Sequence, residues 1–287
     1  MPGITVVFAA TGTQGGSVIK ELKDAGHQIR AVTRNARSKK AIRLSSEGIE
    51  VTEVDFDNQK SLDSVFDGAD KVFYLLPMSK NSEEIGTRIT EAIKRAQIKH
   101  AIFSSVGGTD RDNGVCHFGE KWRIEELLRN SGVFFTILRP AAYMEHFIQA
   151  KGAEFILGMM RVFMTHEKRI QMISTKDIAR FVRLSYENPA KFGKRSIEIA
   201  GDELTLEQIR ETLSEFTNKD VRIPNWPKIL VPILPKTLKE MLAFYGKDGW
   251  QANIEELRKL NPDMLKFRTF LREMKCKKHV SSVNERD

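Results

Sequence analysis

The stretch Val6-Val7-Phe8-Ala9-Ala10-Thr11-Gly12-Thr13-Gln14-Gly15-Gly16-Ser17-Val18 constrains this chain more than any other. An apolar run fit for a buried strand breaks into a glycine-rich turn and then into helical spacing. The first turn of a helix leaves backbone N–H groups unpaired, and the aligned peptide dipoles place partial positive charge there, so a pyrophosphate can rest on that end. Gly12 and Gly15 matter because side chains there would block the backbone's approach to a ligand or the packing of helix on strand. The usual G-x-G-x-x-G pattern has a glycine where this chain has Ala9, which leaves the tightness of the turn open. Taken alone, the motif reads equally well as an ordinary strand-to-helix turn.

The next elements favour the ligand-binding reading. A helix ends at Gly26, and Gln28-Ile29-Arg30-Ala31-Val32-Thr33 reads as a second strand, completing strand, glycine turn, helix and strand within the roughly 30 residues of a dinucleotide-binding unit. Where an NAD-selective site carries an acid for the ribose 2′-OH, this chain has Arg34. A guanidinium suits a 2′-phosphate, and Arg37, Lys39 and Lys40 follow it, so the spacing predicts NADP(H) over NAD(H). The alternative is a solvated basic loop.

Alternation continues through a strand at 49–54, a helix at 59–66, a strand at 71–76 bounded by Pro77, a helix at 83–96 and a strand at 100–105. A helix over Trp122 to Leu128 closes at Gly132, and a strand from Val133 to Leu138 stops at Arg139-Pro140. Near-continuous apolar strands separated by helices predict an α/β fold, a doubly wound parallel (Rossmann) sheet. Beyond Pro140 the rhythm changes to Met-rich and aromatic helical segments, with a strand at 196–199, a helix at 206–216, a Pro-punctuated stretch at 225–235 and a short helix at 238–245. The expectation is a dinucleotide-binding domain over 1–140 and a smaller C-terminal α+β lobe over 141–287 with a basic tail. Met159, Met160, Phe163 and Met164 either line an apolar pocket or form core.

At 287 residues and 41% hydrophobic content the chain can bury a sizeable core. No apolar run approaches a membrane span, and Met1-Pro2-Gly3-Ile4 enters a strand without a charged leader, so cytoplasmic residence is expected, with nuclear shuttling left open. Cys116 and Cys276 are too few for a disulfide framework, and no His/Cys spacing suggests a metal. The net charge of +8 includes Lys275-Cys276-Lys277-Lys278-His279, which without interleaved aromatics reads as a solvated tail rather than a nucleic-acid surface.

Reductases on this fold place a proton donor beside the nicotinamide, and short-chain dehydrogenases use Tyr-x-x-x-Lys. Here the segment reads His117-Phe118-Gly119-Glu120-Lys121: the lysine is present and the tyrosine is not. One helical turn puts His117 and Lys121 on one face. His117 is either a proton donor or a structural imidazole at a helix start, and Lys121 is expected on the cofactor ribose.

Together, Ala10-Thr11-Gly12-Thr13-Gln14-Gly15-Gly16, Val32-Thr33-Arg34-Asn35, His117-Phe118-x-x-Lys121 and Arg139-Pro140-x-x-Tyr143-Met144-Glu145 resemble the NmrA-like atypical short-chain dehydrogenases, and Ile173-Ser174-Thr175-Lys176-Asp177-Ile178 extends the likeness. The resemblance implies that Ala10, Thr11, Gly12, Thr13, Gln14 and Gly15 hold the pyrophosphate, Arg34 the 2′-phosphate, Lys121 the nicotinamide ribose, and Tyr143, Met144, Glu145 and His146 the nicotinamide end. Asp55 would lie near the adenine or serve a surface turn. Such families include redox regulators that act through NADP(H)-dependent conformation and partner binding, and reductases of quinones, azo dyes or other conjugated hydrophobic acceptors. The missing tyrosine puts the regulator first and the NADPH-dependent reductase as the alternative, with a protein partner, a small acceptor or a second copy of the chain among the expected partners.

Overall fold

The computed structural model describes residues 3–76, 79, 81–111, 114–148 and 150–284. Two compact units emerge: one comprises Met1–Asp110, His117–Arg139 and Ile178–Ile197, the other Arg111–Cys116, Pro140–Asp177 and Glu198–Asp287.

In the first unit β1 (Ile4–Val7), α1 (Thr13–Asp24), β2 (Ile29–Thr33), α2 (Lys39–Ser46), β3 (Glu50–Glu53), α3 (Gln59–Ser64), β4 (Ala69–Leu75), α4 (Ser82–Arg95) and β5 (His100–Ser104) alternate strictly. α5 (Cys116–Arg129) and β6 (Phe135–Pro140) continue the pattern. Further on come β7 (Ala142–Tyr143), α6 (Ala150–Phe163), β8 (Arg169–Ile173), α7 (Thr175–Glu187), α8 (Pro189–Phe192) and β9 (Arg195–Ile199). The seven-stranded sheet runs β3-β2-β1-β4-β5-β6-β9. Pairing of β1 with β2 and β4, of β2 with β3, and of β5 with β4 and β6 is parallel. The chain winds outward from β1 in one direction and from β4 in the other, so the carboxyl ends of β1 and β4 form the topological switch point where such sheets take ligands. Tyr74 and Phe103 stack at 4.8 Å within the core that also holds Phe8, Ile93 and Leu128. Fully burying each such side chain contributes roughly 1.5–3 kcal/mol.

The second unit contains a three-stranded sheet in which β8 lies between β7, parallel to it, and β10 (Asp202–Thr205), antiparallel to it. α9 (Leu206–Thr217) opens on a capping box, with the Thr205 hydroxyl accepting from the Gln208 amide and the Gln208 side chain accepting from the Thr205 amide. α10 (Lys236–Gly246), α11 (Ile254–Leu260) and α12 (Phe267–Asn284) complete it. Met159, Met160 and Met164 are buried. Among the described residues no helix is long and apolar enough to cross a membrane.

Three expectations need correction. The helix read from Trp122 begins at Cys116, six residues earlier; Gly119 and the lack of a Ser, Thr, Asp or Asn cap hid its start, and the Cys116 amide donates instead to Glu240 Oε2 at 3.2 Å. β6 does not stop before Arg139-Pro140 but includes both, because a terminal proline leaves no ladder N–H unmet and the Arg139 charge is matched by Glu125 and Asp110. The basic segment at Lys39 and Lys40 is not a loop but the first turn of α2, capped by the Ser38 hydroxyl. Pro77, read as a strand stop, lies outside the described residues, as do the side chains of Cys276, Lys277, Lys278 and His279.

Candidate functional site

The turn after β1 is built on Ala9, which takes a left-handed φ of +52°. That conformation lets the Ala9 carbonyl turn back to accept the Gly12 N–H at 2.8 Å. The missing glycine therefore leaves the turn closed, at the cost of a strained alanine. Gly15 has no alternative: a Cβ there would stand 2.2 Å from the Ala9 oxygen. Gly12 caps α1 in an extended conformation, with no side-chain cap and no acid in the first turn. The positive end of α1 thus meets no compensating charge from its own first turn, and its backbone is approachable because the glycines lack side chains.

Thr11, Gly12 and Arg34 line one cavity of about 710 Å³, together with Phe8, Ala9, Asn35, Ser38 and Phe56. Arg34 follows β2 directly, is exposed, and makes no hydrogen bond or ion pair among the described residues. Its loop is held from several sides. The Ala36 amide donates to Glu53 Oε2 at 2.8 Å, the Arg37 amide to Asn35 Oδ1 at 2.9 Å, and Ser38 caps α2. Lys40 is not among the residues lining this cavity, and its Nζ donates to the Thr11 carbonyl at 3.1 Å. A second cavity of about 700 Å³ brings Arg34 together with Asp55, Phe56 and Asn81. Asp55 also serves its turn, accepting the Asp57 amide at 2.9 Å.

Of the remaining cradle residues, Ala10 is buried and donates from its amide to the Val32 carbonyl, Thr13 is exposed, and Gln14 and Gly15 are buried. The Gln14 side chain points inward, to Ser104 at 2.6 Å, so only its backbone can face a ligand. Ser104, which ends β5, and Ser105 after it were missed because a Ser-Ser pair at a strand end carries no distinctive signal. Lys121 sits on α5 and donates from Nζ to the Ser105 carbonyl at 3.2 Å. Burial pushes its ammonium down to about 8, against the opposing pull of Glu125 and Glu120. The Ser105 hydroxyl is buried and has no hydrogen-bond partner among the described residues. His117, one turn before Lys121, packs edge-on against Phe118 at 4.9 Å.

Tyr143, Met144, Glu145 and His146 belong to the second unit. Met144 is fully buried, and Tyr143 packs against the His146 ring at 5.4 Å. Burial raises the Tyr143 phenol well above its usual range and lowers the His146 imidazole. Glu145 Oε1 accepts from both the amide and the hydroxyl of Thr175, at 2.9 and 2.7 Å, at the start of α7.

A switch-point cavity joining a glycine-rich helix N-terminus to a free guanidinium is matched by the family comparison, in which the NmrA-like family model covers residues 3–271. The chain belongs to the NmrA-like family. It is 26% identical over 261 residues to the NmrA-like family domain-containing oxidoreductase malD of Malbranchea aurantiaca, covering 79% of this chain and 77% of that one. Its fold is similar to that of the NADPH-dependent quinone oxidoreductase QOR2 of Escherichia coli complexed with NADPH, with a TM-score of 0.78, 23% identity, and 94% and 99% of the two chains covered. It is likewise similar to NmrA, a negative transcriptional regulator, in complex with NADP, with a TM-score of 0.75, 19% identity and 95% of each chain covered.

Proposed function

We propose that this NmrA-like chain binds NADP(H) and uses the reduced form to reduce a conjugated hydrophobic acceptor of the quinone type. The observation that carries the cofactor reading is Arg34, an unpaired guanidinium at the end of β2 on a loop held by Glu53, Asn35 and Ser38. Unpaired guanidinium charge suits the 2′-phosphate, and the amides of Thr11, Gly12, Thr13, Gln14 and Gly15 suit the diphosphate. Asp55 and Phe56 would border the adenine, Lys121 the nicotinamide ribose, and Tyr143 to His146 the nicotinamide end. When bound, the reduced nicotinamide supplies a hydride. Lys121 would orient the ribose through its ammonium, which burial brings down to about 8. A quinone needs little more, since its carbonyl oxygens take up hydride charge without a committed acid, so the absent tyrosine does not prevent turnover. The oxidoreductase names carried by sequence relatives such as malD favour this reading.

Calorimetry with NADPH and NADH tests the cofactor half. NADPH should bind at least tenfold more tightly, and Arg34→Ala should cost NADPH about 10- to 100-fold while leaving NADH unchanged, the loss of one or two charge-assisted hydrogen bonds. Equal affinities for the two dinucleotides would defeat it. Acceptor-dependent loss of NADPH absorbance across quinones, azo dyes and enones, diminished in Lys121→Ala, tests the other half.

A second reading rests on His117 standing where the tyrosine of Tyr-x-x-x-Lys would be. A site that binds and releases dinucleotide without its customary acid can serve as a redox sensor, with NADP(H)-dependent binding of a protein partner or a second copy in the cytoplasm. It predicts negligible NADPH consumption across acceptors and partner binding that changes with cofactor. Equal partner capture with and without NADPH excludes it.

A further inference from the structure

The N-terminal turn of α1 is tied across the sheet by a buried side-chain hydrogen bond. Gln14 is 4% exposed and donates from Nε2 to the Ser104 hydroxyl, itself 1% exposed, at 2.6 Å. α1 follows β1, Ser104 ends β5, and β4 lies between those strands, so the link passes over the carboxyl end of β4. The residue after Ser104 then holds Lys121, whose Nζ donates to the Ser105 carbonyl at 3.2 Å. Backbone amides of α1, the Gln14 amide, the Ser104 hydroxyl, the Ser105 peptide and the Lys121 ammonium thus follow one another in a single row.

Burying a glutamine in the first turn of a helix is unfavourable by itself. It immobilises a long side chain and withdraws a polar amide from water, and an apolar side chain of similar length would pack there without needing a partner. A buried polar pair specifies one geometry where an apolar pair tolerates several. The two groups it fixes relative to each other are those assigned above to the diphosphate and to the nicotinamide ribose.

We propose that Gln14 and Ser104 are positioning residues: their hydrogen bond is a strut that sets the separation between the amide cradle of α1 and the ammonium of Lys121, so that one dinucleotide engages both. This rests on the NADP(H) reading. Neither side chain needs to touch the ligand. The strut acts on the half of the ligand that Lys121 holds, since the cradle's own amides are fixed by the Ala9–Gly12 turn.

The test compares NADPH with 2′-phosphoadenosine 5′-diphosphate, which keeps the 2′-phosphate and diphosphate but lacks the nicotinamide riboside. Wild type, Gln14→Met, Ser104→Ala, Ser104→Thr, Lys121→Ala and the Gln14→Met/Lys121→Ala double variant are titrated by calorimetry, with the circular dichroism melt of each as a control for folding. Gln14→Met and Ser104→Ala should each weaken NADPH about tenfold and the truncated ligand by less than about twofold, and Ser104→Thr should restore NADPH binding. The double variant should bind NADPH no more weakly than Lys121→Ala alone. Equal weakening of both ligands, or additive losses in the double variant, overturns the strut and leaves the cofactor reading standing. No heat from either ligand with the wild type overturns the cofactor reading itself, and the strut with it. Should Gln14→Met fail to fold, the Ser104 pair carries the same comparison without altering α1.

Discussion

Ala9 and Gly15 share one tight contact and carry opposite consequences. Ala9 holds a φ of +52°, a region costing an alanine on the order of 1 kcal/mol, whereas glycine enters it freely. Ala9→Gly should therefore stabilise the fold by up to about 1 kcal/mol, read as a rise in the urea midpoint. Gly15→Ala would drive a methyl to 2.2 Å from the Ala9 carbonyl oxygen, which is backbone and cannot swing aside, so a loss of about 3 kcal/mol or more is expected. A neutral Gly15→Ala would refute the close packing of helix on turn. Lys121 gives a prediction in pH. Its ammonium is held at about 8 by burial, below the ordinary lysine value of 10.5, so between those values the unfolded chain keeps a proton that the folded chain has lost. Stability from this group accordingly rises as pH climbs through that window, and at neutral pH the buried charge is a penalty. Lys121→Met should stabilise the fold at pH 7 by on the order of 2 kcal/mol at most, read as a higher melting temperature, and flatten the rise between pH 8 and 10.5. At this scale the sequence marks Gly12, Gly15, Arg34 and Lys121 as candidates, because each has a residue type whose chemistry is tied to its place after a strand or on a helix. It marks Gln14 only as part of the turn and not for its side-chain bond to Ser104 across 90 positions of chain, and it does not mark Ser104 or Ser105 at all.

Among the elements, α7 shows why a family motif can be read correctly as a segment and incompletely as chemistry. The segments Tyr143-Met144-Glu145 and Ile173-Ser174-Thr175-Lys176-Asp177 meet in space, where Glu145 Oε1 accepts from the Thr175 amide and hydroxyl and the Ser174 hydroxyl donates to Asp177 at 2.7 Å. A carboxylate at a helix N-terminus satisfies an unpaired amide and opposes the positive end of the dipole. Nothing in the spacing of the two segments reveals that one caps the other. Glu145→Ala should cost about 1–2 kcal/mol in denaturant unfolding, with Glu145→Gln recovering part of it through the retained acceptor oxygen. If affinity for NADPH falls in Glu145→Ala while the unfolding midpoint stays fixed, the carboxylate serves the ligand and not the helix. Elements with strong periodicity or turn residues, such as β2, α4, β5 and α9, follow the sequence pattern within a residue or two. α2 was hidden by its charges, with Lys39, Lys40 and Arg43 outweighing a short apolar face whose only fully buried member is Ala41.

For the molecule as a whole, the alternation of strand and helix over the first 140 residues specified the parallel sheet and its switch point, because strands buried on both faces must be apolar throughout. Assignment of 178–197 to the first unit was not legible, since its helical segment carries no mark of which sheet it covers. The charge of the chain belongs to this scale too. The net +8 is not concentrated at the end: residues 276–287 hold three Lys or Arg against two Asp or Glu, so their removal changes the balance little. Among the side chains of α12 that the structure describes, the buried ones are Phe267, Phe270 and Leu271, and the family match also stops at 271. A chain ending at Lys275 should keep its unfolding free energy within about 1 kcal/mol and its NADPH affinity within about twofold. A nucleic-acid role for the tail predicts something different: binding to duplex DNA whose logarithm falls steeply and linearly with the logarithm of salt, and which disappears on truncation. Fluorescence anisotropy with a labelled duplex between 50 and 200 mM salt, roughly the range where such slopes are readily resolved, separates the two. The expected trace is flat for both proteins, because residues 276–287 carry both signs of charge and no aromatic residue to stack on a base.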